Sequence, residues 1–432
     1  MTGARSTRFR PAACAVAWLL LAACGAARAA EPPCALKGGE TIVFFGDSIT
    51  QGGAYVEYVD AFLATRMPGQ EFHIVNSGIS SETISGTSET DHHPRRPWAH
   101  ERFDRDVAAH KPQILVACFG MNDGNYHPFE RLRFEKYQAG VRLLMERCHK
   151  IECRLILLTP PPFDPYRRGA GDPNATEYGY KFAAVDYDTT LEAYSQWLLG
   201  LRREGYLVAD VHTATNEHLR ARRRTKVSFF LAGDAVHPNA TGHWLMAQTL
   251  LEAIGVPAAA GEVEIDAAKA EARKGETADV EAKDGGVAFQ WARPLPMPID
   301  PQWDGESLAL EKTTDRLGRY VMTVTGLPAG TYRLEADGAA VGEASAGDLA
   351  KGLDLNALAK FPTHARAREV LGLVQQRRRT IYKAWRQGVA SGQDGAGVAA
   401  TMTAERSTHE ILEKVQDLCQ PRPVRVRIVP VR

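Results

Sequence analysis

The chain has 432 residues, 44% hydrophobic and 24% charged, with 52 basic side chains against 52 acidic ones. This length exceeds one ordinary domain and implies roughly two or three. The composition is that of a soluble globular protein, and the balanced charge creates no global field for nucleic acid or an anionic membrane.

The first thirty residues read as a targeting segment. Arg5, Arg8 and Arg10 form a positive start, and Ala12–Ala23 is apolar but too short to span a bilayer. Ala27-Arg28-Ala29 is an A-x-A cleavage site, so residues 1–29 are expected to be a signal peptide. Leu21-Ala22-Ala23-Cys24 also matches a bacterial lipobox, in which Cys24 would carry a lipid anchor. Either route exports the protein, to be secreted, periplasmic or anchored through Cys24. No later run is apolar enough to span a membrane. Of the five cysteines beyond the cleavage site, Cys118 lies in an apolar run and reads as a buried free thiol. Cys148 with Cys153, or Cys34 with Cys419, are the pairs open to disulfide formation in an oxidising compartment. There is no C-x-x-C and no zinc spacing.

Thr41–Phe45 is β-branched and aromatic without a charge and stops at Gly46-Asp47-Ser48, the pattern of a buried parallel strand. Ligands of open α/β sheets bind beyond the carboxyl ends of such strands, so Ser48 stands where a nucleophile would. By itself it reads equally as a helix N-cap. Tyr55–Arg66 has the apolar spacing of a helix, Phe72–Val75 of a short strand, residues 99–110 of a helix, and Ile114–Phe119 of a second buried strand. A helix over Arg133–Cys148, a strand at Leu155–Leu158, a helix carrying Leu191, Leu198 and Leu201, and a strand at Leu207–Val211 follow. Asn239 caps a helix from about Ala240 to Ile254, which Gly255 ends. Strands alternating with amphipathic helices predict a three-layer α/β/α sandwich around a parallel sheet over residues 39–256. The Pro-, Gly- and Tyr-rich segment Pro160–Asp188 reads as a functional loop.

Residues 257–300 read as a linker and irregular segment. Residues 301–432 read as an accessory region, a small β unit with a helical hairpin. Arg319–Thr325 and Thr331–Asp337 alternate as strands, and Val424–Val431 alternates as an edge strand. Ser407-x-x-Glu410 is a capping box, Ser391–Ala400 a flexible link, and Arg377-Arg378-Arg379 a solvated helix face.

Four short blocks line up at expected strand ends: Gly46-Asp47-Ser48, Asn76-Ser77-Gly78-Ile79-Ser80-Ser81, Gly120-Met121-Asn122-Asp123 and Asp234-Ala235-Val236-His237. A serine hydroxyl needs a base to take its proton during attack. His237 is the candidate, and Asp234, three residues earlier, is close enough to orient it. In this order, across residues 39–255, the blocks resemble those of the SGNH (GDSL) hydrolases. The resemblance implies a flavodoxin-like α/β fold, a Ser48–His237–Asp234 triad and no cofactor or metal. It assigns the oxyanion hole to Ser48 N–H, Ser81 N–H and the Asn122 side chain. The family usually has glycine where this chain has Ser81, which leaves Gly78 N–H as the fallback donor.

Asp47 and Asp123 read as loop-shaping hydrogen-bond acceptors. His92, His93 and His100 match no zinc pattern and read as a polar loop beside the site. Tyr166, Tyr178, Tyr180 and Tyr187 offer aromatic faces, and the first three are candidate substrate contacts. Together these features predict an exported serine esterase acting through an acyl-serine on small-molecule or polysaccharide esters, with carbohydrate deacetylation favoured. A non-catalytic carbohydrate-binding or cell-surface protein on the same fold, or an acyltransferase, are the alternatives.

Overall fold

The computed structural model describes residues 35–167, 177–390 and 395–431. The targeting segment, Cys24, Cys34 and part of the predicted flexible link lie outside the described residues.

Strand β1 (Thr41–Gly46) sends its side chains alternately into two apolar layers. Ile42 and Phe44 face one core, Val43 and Phe45 the other, and all four are buried. Burial on both faces is why the run carries no polar residue. Each such aromatic removed from water contributes roughly 2–3 kcal/mol. β2 (His73–Gly78), β3 (Ile114–Cys118), β4 (Arg154–Leu158) and β5 (Leu207–Ala209) join it in one parallel sheet, in the order β2-β1-β3-β4-β5. The register aligns Gly46 with both Gly78 and Cys118, so the loops after β1, β2 and β3 leave the sheet at one edge.

Helices α1 (Ser48–Gly52) and α2 (Ala54–Arg66) follow β1. α3 (Phe103–Asp106), α4 (Arg131–Lys150) and α5 (Tyr187–Gly200) come next, then α6 (Val211–Thr225) and α7 (Ala240–Ala253). α2 and α7 pack on one face of the sheet, and α3 and α4 on the other. The helix expected over residues 99–110 is broken: α3 is flanked by the short turns Ala99–Glu101 and Ala108–His110. α6 escaped the sequence reading because the positions it buries include His212, Thr215, His218 and Arg222, so no apolar period shows.

The region after residue 257 departs most from expectation. The predicted linker is four strands: β6 (Ala259–Asp266), β7 (Glu271–Lys274), β8 (Thr277–Lys283) and β9 (Gly286–Arg293). β7 and β8 lie at the edges of their sheets with little buried surface, so their polar sequences show no strand period. They join β10 (Arg319–Thr325), β11 (Thr331–Ala336), β12 (Ala339–Ser345), β13 (Leu353–Asp354) and β14 (Arg422–Pro430) in two sheets, β13-β10-β6-β7 and β12-β11-β14-β9-β8. The inner faces share one core, in which Trp291 of β9 stacks on Tyr320 of β10 at 5.1 Å. β14 is an interior strand between β9 and β11, not the edge strand expected. One-sided burial gives the same alternation in either position.

Three short helices, α8 (Gly305–Leu310), α9 (Thr313–Leu317) and α10 (Ala346–Lys351), precede a bundle of α11 (Pro362–Ala390), α12 (Ala396–Ser407) and α13 (His409–Cys419). The expected capping box does not form: Thr408 is the N-cap of α13, and Ser407 Oγ donates to Ala404 C=O. The bundle is not a separate accessory body. Val370, Leu371 and Val374 of α11 and Val415 and Cys419 of α13 complete the core beside α2, and the described residues cluster as one compact unit. The arginine run also differs from its reading, because Arg377 and Arg378 are buried. Arg378 pairs with Asp60 of α2 and donates to Ile74 C=O on the edge strand β2, and Arg379 pairs with Glu57. A sheet edge with free carbonyls is thereby covered. Arg378→Ala should cost about 3 kcal/mol, because Asp60 would keep a charge without its partner. Urea unfolding of the variant and of Arg378→Met/Asp60→Leu checks this, and the paired replacement should recover most of the loss.

Candidate active site

The first block is shaped by a close approach of backbones. A Cβ on Gly46 would collide with Thr50 and Cys118 C=O, and one on Gly78 would collide with the backbone at Gln51. With both bare, α1 starts directly at the end of β1. Asp47 is its N-cap, accepting from Ile49 N–H at 2.9 Å, and Ser48 is its first residue.

His237 Nε2 lies 2.8 Å from Ser48 Oγ, and His237 Nδ1 lies 2.6 Å from Asp234 Oδ2. Asp234 Oδ1 accepts from the backbone N–H groups of Val236 and His237, and Tyr180 Oη donates to Oδ2 at 3.2 Å. Ala235 turns through the left-handed region at φ 75°, which folds the carboxylate back over the following amides. The pair does not begin a helix, since α7 is capped by Asn239. Burial alone would raise the Asp234 carboxyl, but the hydrogen bonds from His237 and Val236 outweigh it and hold it at about 2. An ionised Asp234 takes the Nδ1 proton of His237 as its partner and leaves Nε2 free to accept from Ser48.

Ser48 and His237 open onto a cavity of about 560 Å³, also lined by Ser81 and Asn122. Ser81 has φ 63°, a left-handed conformation that favours glycine. Asn122 Nδ2 donates to Glu82 C=O at 3.1 Å and has a second hydrogen to give. Gly78 is excluded as a fallback donor, because its N–H is committed to Asn76 Oδ1 at 2.9 Å. Tyr178 and Tyr180 line the cavity. Tyr166 does not: it is 83% exposed and stacks with Arg223. Tyr187 is buried, donating to Met121 C=O. His92 and His93 line the cavity, whereas His100 is buried against Gly140 C=O. Among the described residues no group of three His, Cys, Asp or Glu side chains converges as a metal site. Cys148 and Cys153 are buried free thiols.

Sequence reasoning missed two buried ion pairs beneath the second block. Arg102 pairs with Glu82 and donates to Ser77 Oγ and Ser77 C=O. Arg96 pairs with Glu89 through two hydrogen bonds of 2.5 and 2.6 Å, with side chains 1% and 3% exposed. Charged residues in an aperiodic loop read as solvated, and no local signal marks these as buried.

Residues 44–245 match the family model of the GDSL-like lipase/acylhydrolases. This stretch of the chain is a GDSL-like (SGNH) hydrolase domain. It is an ester-bond hydrolase. An acetylxylan esterase of Geobacillus stearothermophilus is 28% identical over 244 residues, 50% of this chain and 94% of the relative. A solved gut microbial diltiazem-metabolizing enzyme, 20% identical with a TM-score of 0.73, covers 92% of this chain and 98% of its own. It therefore shares the fold through the C-terminal region as well. The crystal structure of an acetylxylan esterase from Geobacillus stearothermophilus is 26% identical, with a TM-score of 0.38 over 51% of this chain and 96% of its own.

In this SGNH hydrolase Asp47 and Asp123 shape loops. Asp123 Oδ1 accepts from Ser85 N–H at 2.8 Å. Burial pushes Asp47 from 3.8 up to about 7 and Asp123 from 3.8 to about 6. Between about pH 4 and 7 folded Asp47 therefore holds a proton that the unfolded chain has released, so its contribution to stability falls as pH rises through that window and levels off above it. Asp47→Asn keeps an oxygen for Ile49 N–H and removes the titration. The unfolding midpoint of Asp47→Asn relative to wild type should rise from pH 5 to about pH 7 and level off above it; a constant difference would show that Asp47 is ionised throughout.

Proposed function

We propose that the protein is an exported serine esterase that removes acetyl groups from carbohydrates through an acyl-serine intermediate. The observation that carries the reading is the unbroken chain Ser48 Oγ, His237 Nε2, His237 Nδ1, Asp234 Oδ2, with links of 2.8 and 2.6 Å at the mouth of a cavity.

Ser48 Oγ attacks the ester carbonyl carbon as its proton passes to His237 Nε2. The negative charge that develops on the carbonyl oxygen is received by Ser48 N–H, Ser81 N–H and the free hydrogen of Asn122 Nδ2. The tetrahedral intermediate collapses, the C–O bond to the sugar breaks, and His237 returns the proton to the departing alkoxide. Water then repeats the sequence on the acyl-serine and releases acetate. Asp234 stays ionised, holding the tautomer and stabilising the imidazolium.

Carbohydrate as the alcohol half is supported by the cavity wall, which mixes Asp91, Glu177 and two histidines with the rings of Tyr178, Tyr180 and Phe182, the last 70% exposed. Hydroxyl groups find partners there and pyranose faces find aromatic surfaces. The acetylxylan esterase relative supports the same class. Export rests on the amino-terminal sequence, with Cys24 lipidation as the anchored form.

Ser48→Ala and His237→Ala should each lower kcat on acetylated xylo-oligosaccharides by on the order of ten-thousandfold, and the double variant should lose little more, because the two act as one unit. Additive losses would separate them. In the oxyanion hole, Ser81→Gly keeps the N–H and relieves a left-handed side-chain residue, so activity should stay within about threefold of wild type. Asn122→Ala deletes a donor and should cost on the order of a hundred- to a thousandfold in kcat. Equal losses from the two, in folded protein, would assign a direct role to the Ser81 hydroxyl.

A further inference from the structure

Both non-nucleophile donors of the oxyanion hole touch the same buried side chain. Arg96 Nη1 donates to Asn122 Oδ1 at 3.1 Å and to Ser81 C=O at 3.3 Å. The opposite edge of the guanidinium is held by Glu89, with Nε and Nη2 on its two carboxylate oxygens. We infer that Arg96, clamped by Glu89, is the positioning residue that sets the oxyanion hole by fixing the orientation of the Asn122 amide and the path of the backbone at Ser81.

The Asn122 side chain has two orientations of similar shape that exchange its oxygen and nitrogen, and only one aims Nδ2 at Glu82 C=O and the cavity. A guanidinium only donates. With Arg96 Nη1 beside it, the flipped amide would set N–H against N–H, so that orientation is closed. Tyr126 Oη donates to the same Oδ1 at 3.1 Å, but a hydroxyl can also accept and would tolerate the flip. The restriction therefore comes from arginine. Lysine would not reproduce it, since one ammonium cannot span Glu89, Asn122 and Ser81 as a planar fork does.

Ser81 is the second element. Its φ of 63° is a conformation that an L side chain adopts under constraint, and an alternative backbone path would turn its N–H away. Arg96 holds the Ser81 carbonyl, while Gln51 Oε1 accepts from Ser80 N–H at 2.7 Å on the preceding peptide. The peptide bearing Ser81 N–H is thus pinned from both sides. The charge of Arg96 is matched by Glu89 at contact, so the pair acts by geometry more than by its field. This agrees with its place: nearly dry, in the cavity wall, with no step of the proposed chemistry needing it as an acid, base or nucleophile.

The inference rests on the reading of Ser48, Ser81 and Asn122 given above, and its test separates the two. Arg96→Met/Glu89→Leu removes both charges together at similar volume, a replacement that buried ion pairs often tolerate without loss of stability. Kinetics on p-nitrophenyl acetate should show kcat reduced by on the order of ten- to a hundredfold with KM within about threefold. Adding Asn122→Ala should lower kcat by clearly less than the product of the two separate losses, since the part of the lock that acts on the amide has no effect once its target is gone. Additive losses, or wild-type kcat in the folded paired variant, would overturn the inference. If the paired variant does not fold, Arg96→Lys decides the question: it keeps a cation for Glu89, and a kcat loss at unchanged KM supports the lock, whereas wild-type kcat removes it. Ser48→Ala is run alongside. Retained turnover there would bring down the reading of the site itself, while abolished turnover with an unaffected Arg96 variant would bring down only the lock.

Discussion

Two strand ends packed against α1 more closely than a side chain allows hold the site together. Gly46 and Gly78 lie in register at the carboxyl ends of β1 and β2; a Cβ on Gly46 would strike Thr50 of α1 and Cys118 C=O of β3, and one on Gly78 would strike the α1 backbone at Gln51. That approach lets α1 begin within two residues of the sheet and sends the loop after β2 across its start. Ser48 is thereby placed on a helix terminus rather than on a free loop, with its backbone N–H at the end where helical amides lack partners. Ile79 N–H donates to Gly46 C=O and closes the two blocks against one another.

Around this contact the protein buries charge to obtain order. Arg96 with Glu89 and Arg102 with Glu82 lie under a loop that has no regular hydrogen-bond ladder. Ion pairs of this kind contribute little net stability after desolvation, but each guanidinium satisfies several carbonyl and hydroxyl groups that the loop would otherwise leave unpaired. Asp47 and Asp123 belong to the same layer: both are fully desolvated, and both are raised toward neutrality by burial. The geometry of the candidate site is held by a polar layer that costs folding energy, a common compromise at sites where orientation matters more than stability.

The C-terminal third supports the hydrolase core directly. Helix α11 covers the edge of β2 through Arg378, and Tyr382 Oη donates to Gly78 C=O, within the second block, at 3.0 Å. Tyr58 Oη of α2 donates to Asp300, which also accepts from Gln375 of α11, and Trp303 stacks on Trp244 of α7 at 4.3 Å. These contacts tie α2 and α7 to the segment that leads into the bundle. The shared fold over 92% of the chain with a solved enzyme is consistent with one continuous architecture.

Much of this was legible from the chain itself. Strands buried on both faces write themselves as uninterrupted apolar runs, so β1 and β3 and the blocks behind them could be read from residue type and order. The Asp234-x-x-His237 spacing restricts the two side chains to one turn, and Ser48 follows a strand that can end in only one place. What the sequence could not carry is anything decided by partners distant along the chain. The polar face of α6 is buried because Glu311, Asp304 and Ser307 meet His218 and Arg222, and that makes a helix without an apolar stripe. Edge strands β7 and β8 bury so little that no pattern marks them, and β14 alternates alike whether one neighbour pairs with it or two. The arginines at 96, 102 and 378 look like solvent-facing charge until the fold supplies Glu89, Glu82 and Asp60. A charge is stable in the interior only where its counterpart arrives, and for Arg378 and Asp60 that meeting joins residues 318 positions apart.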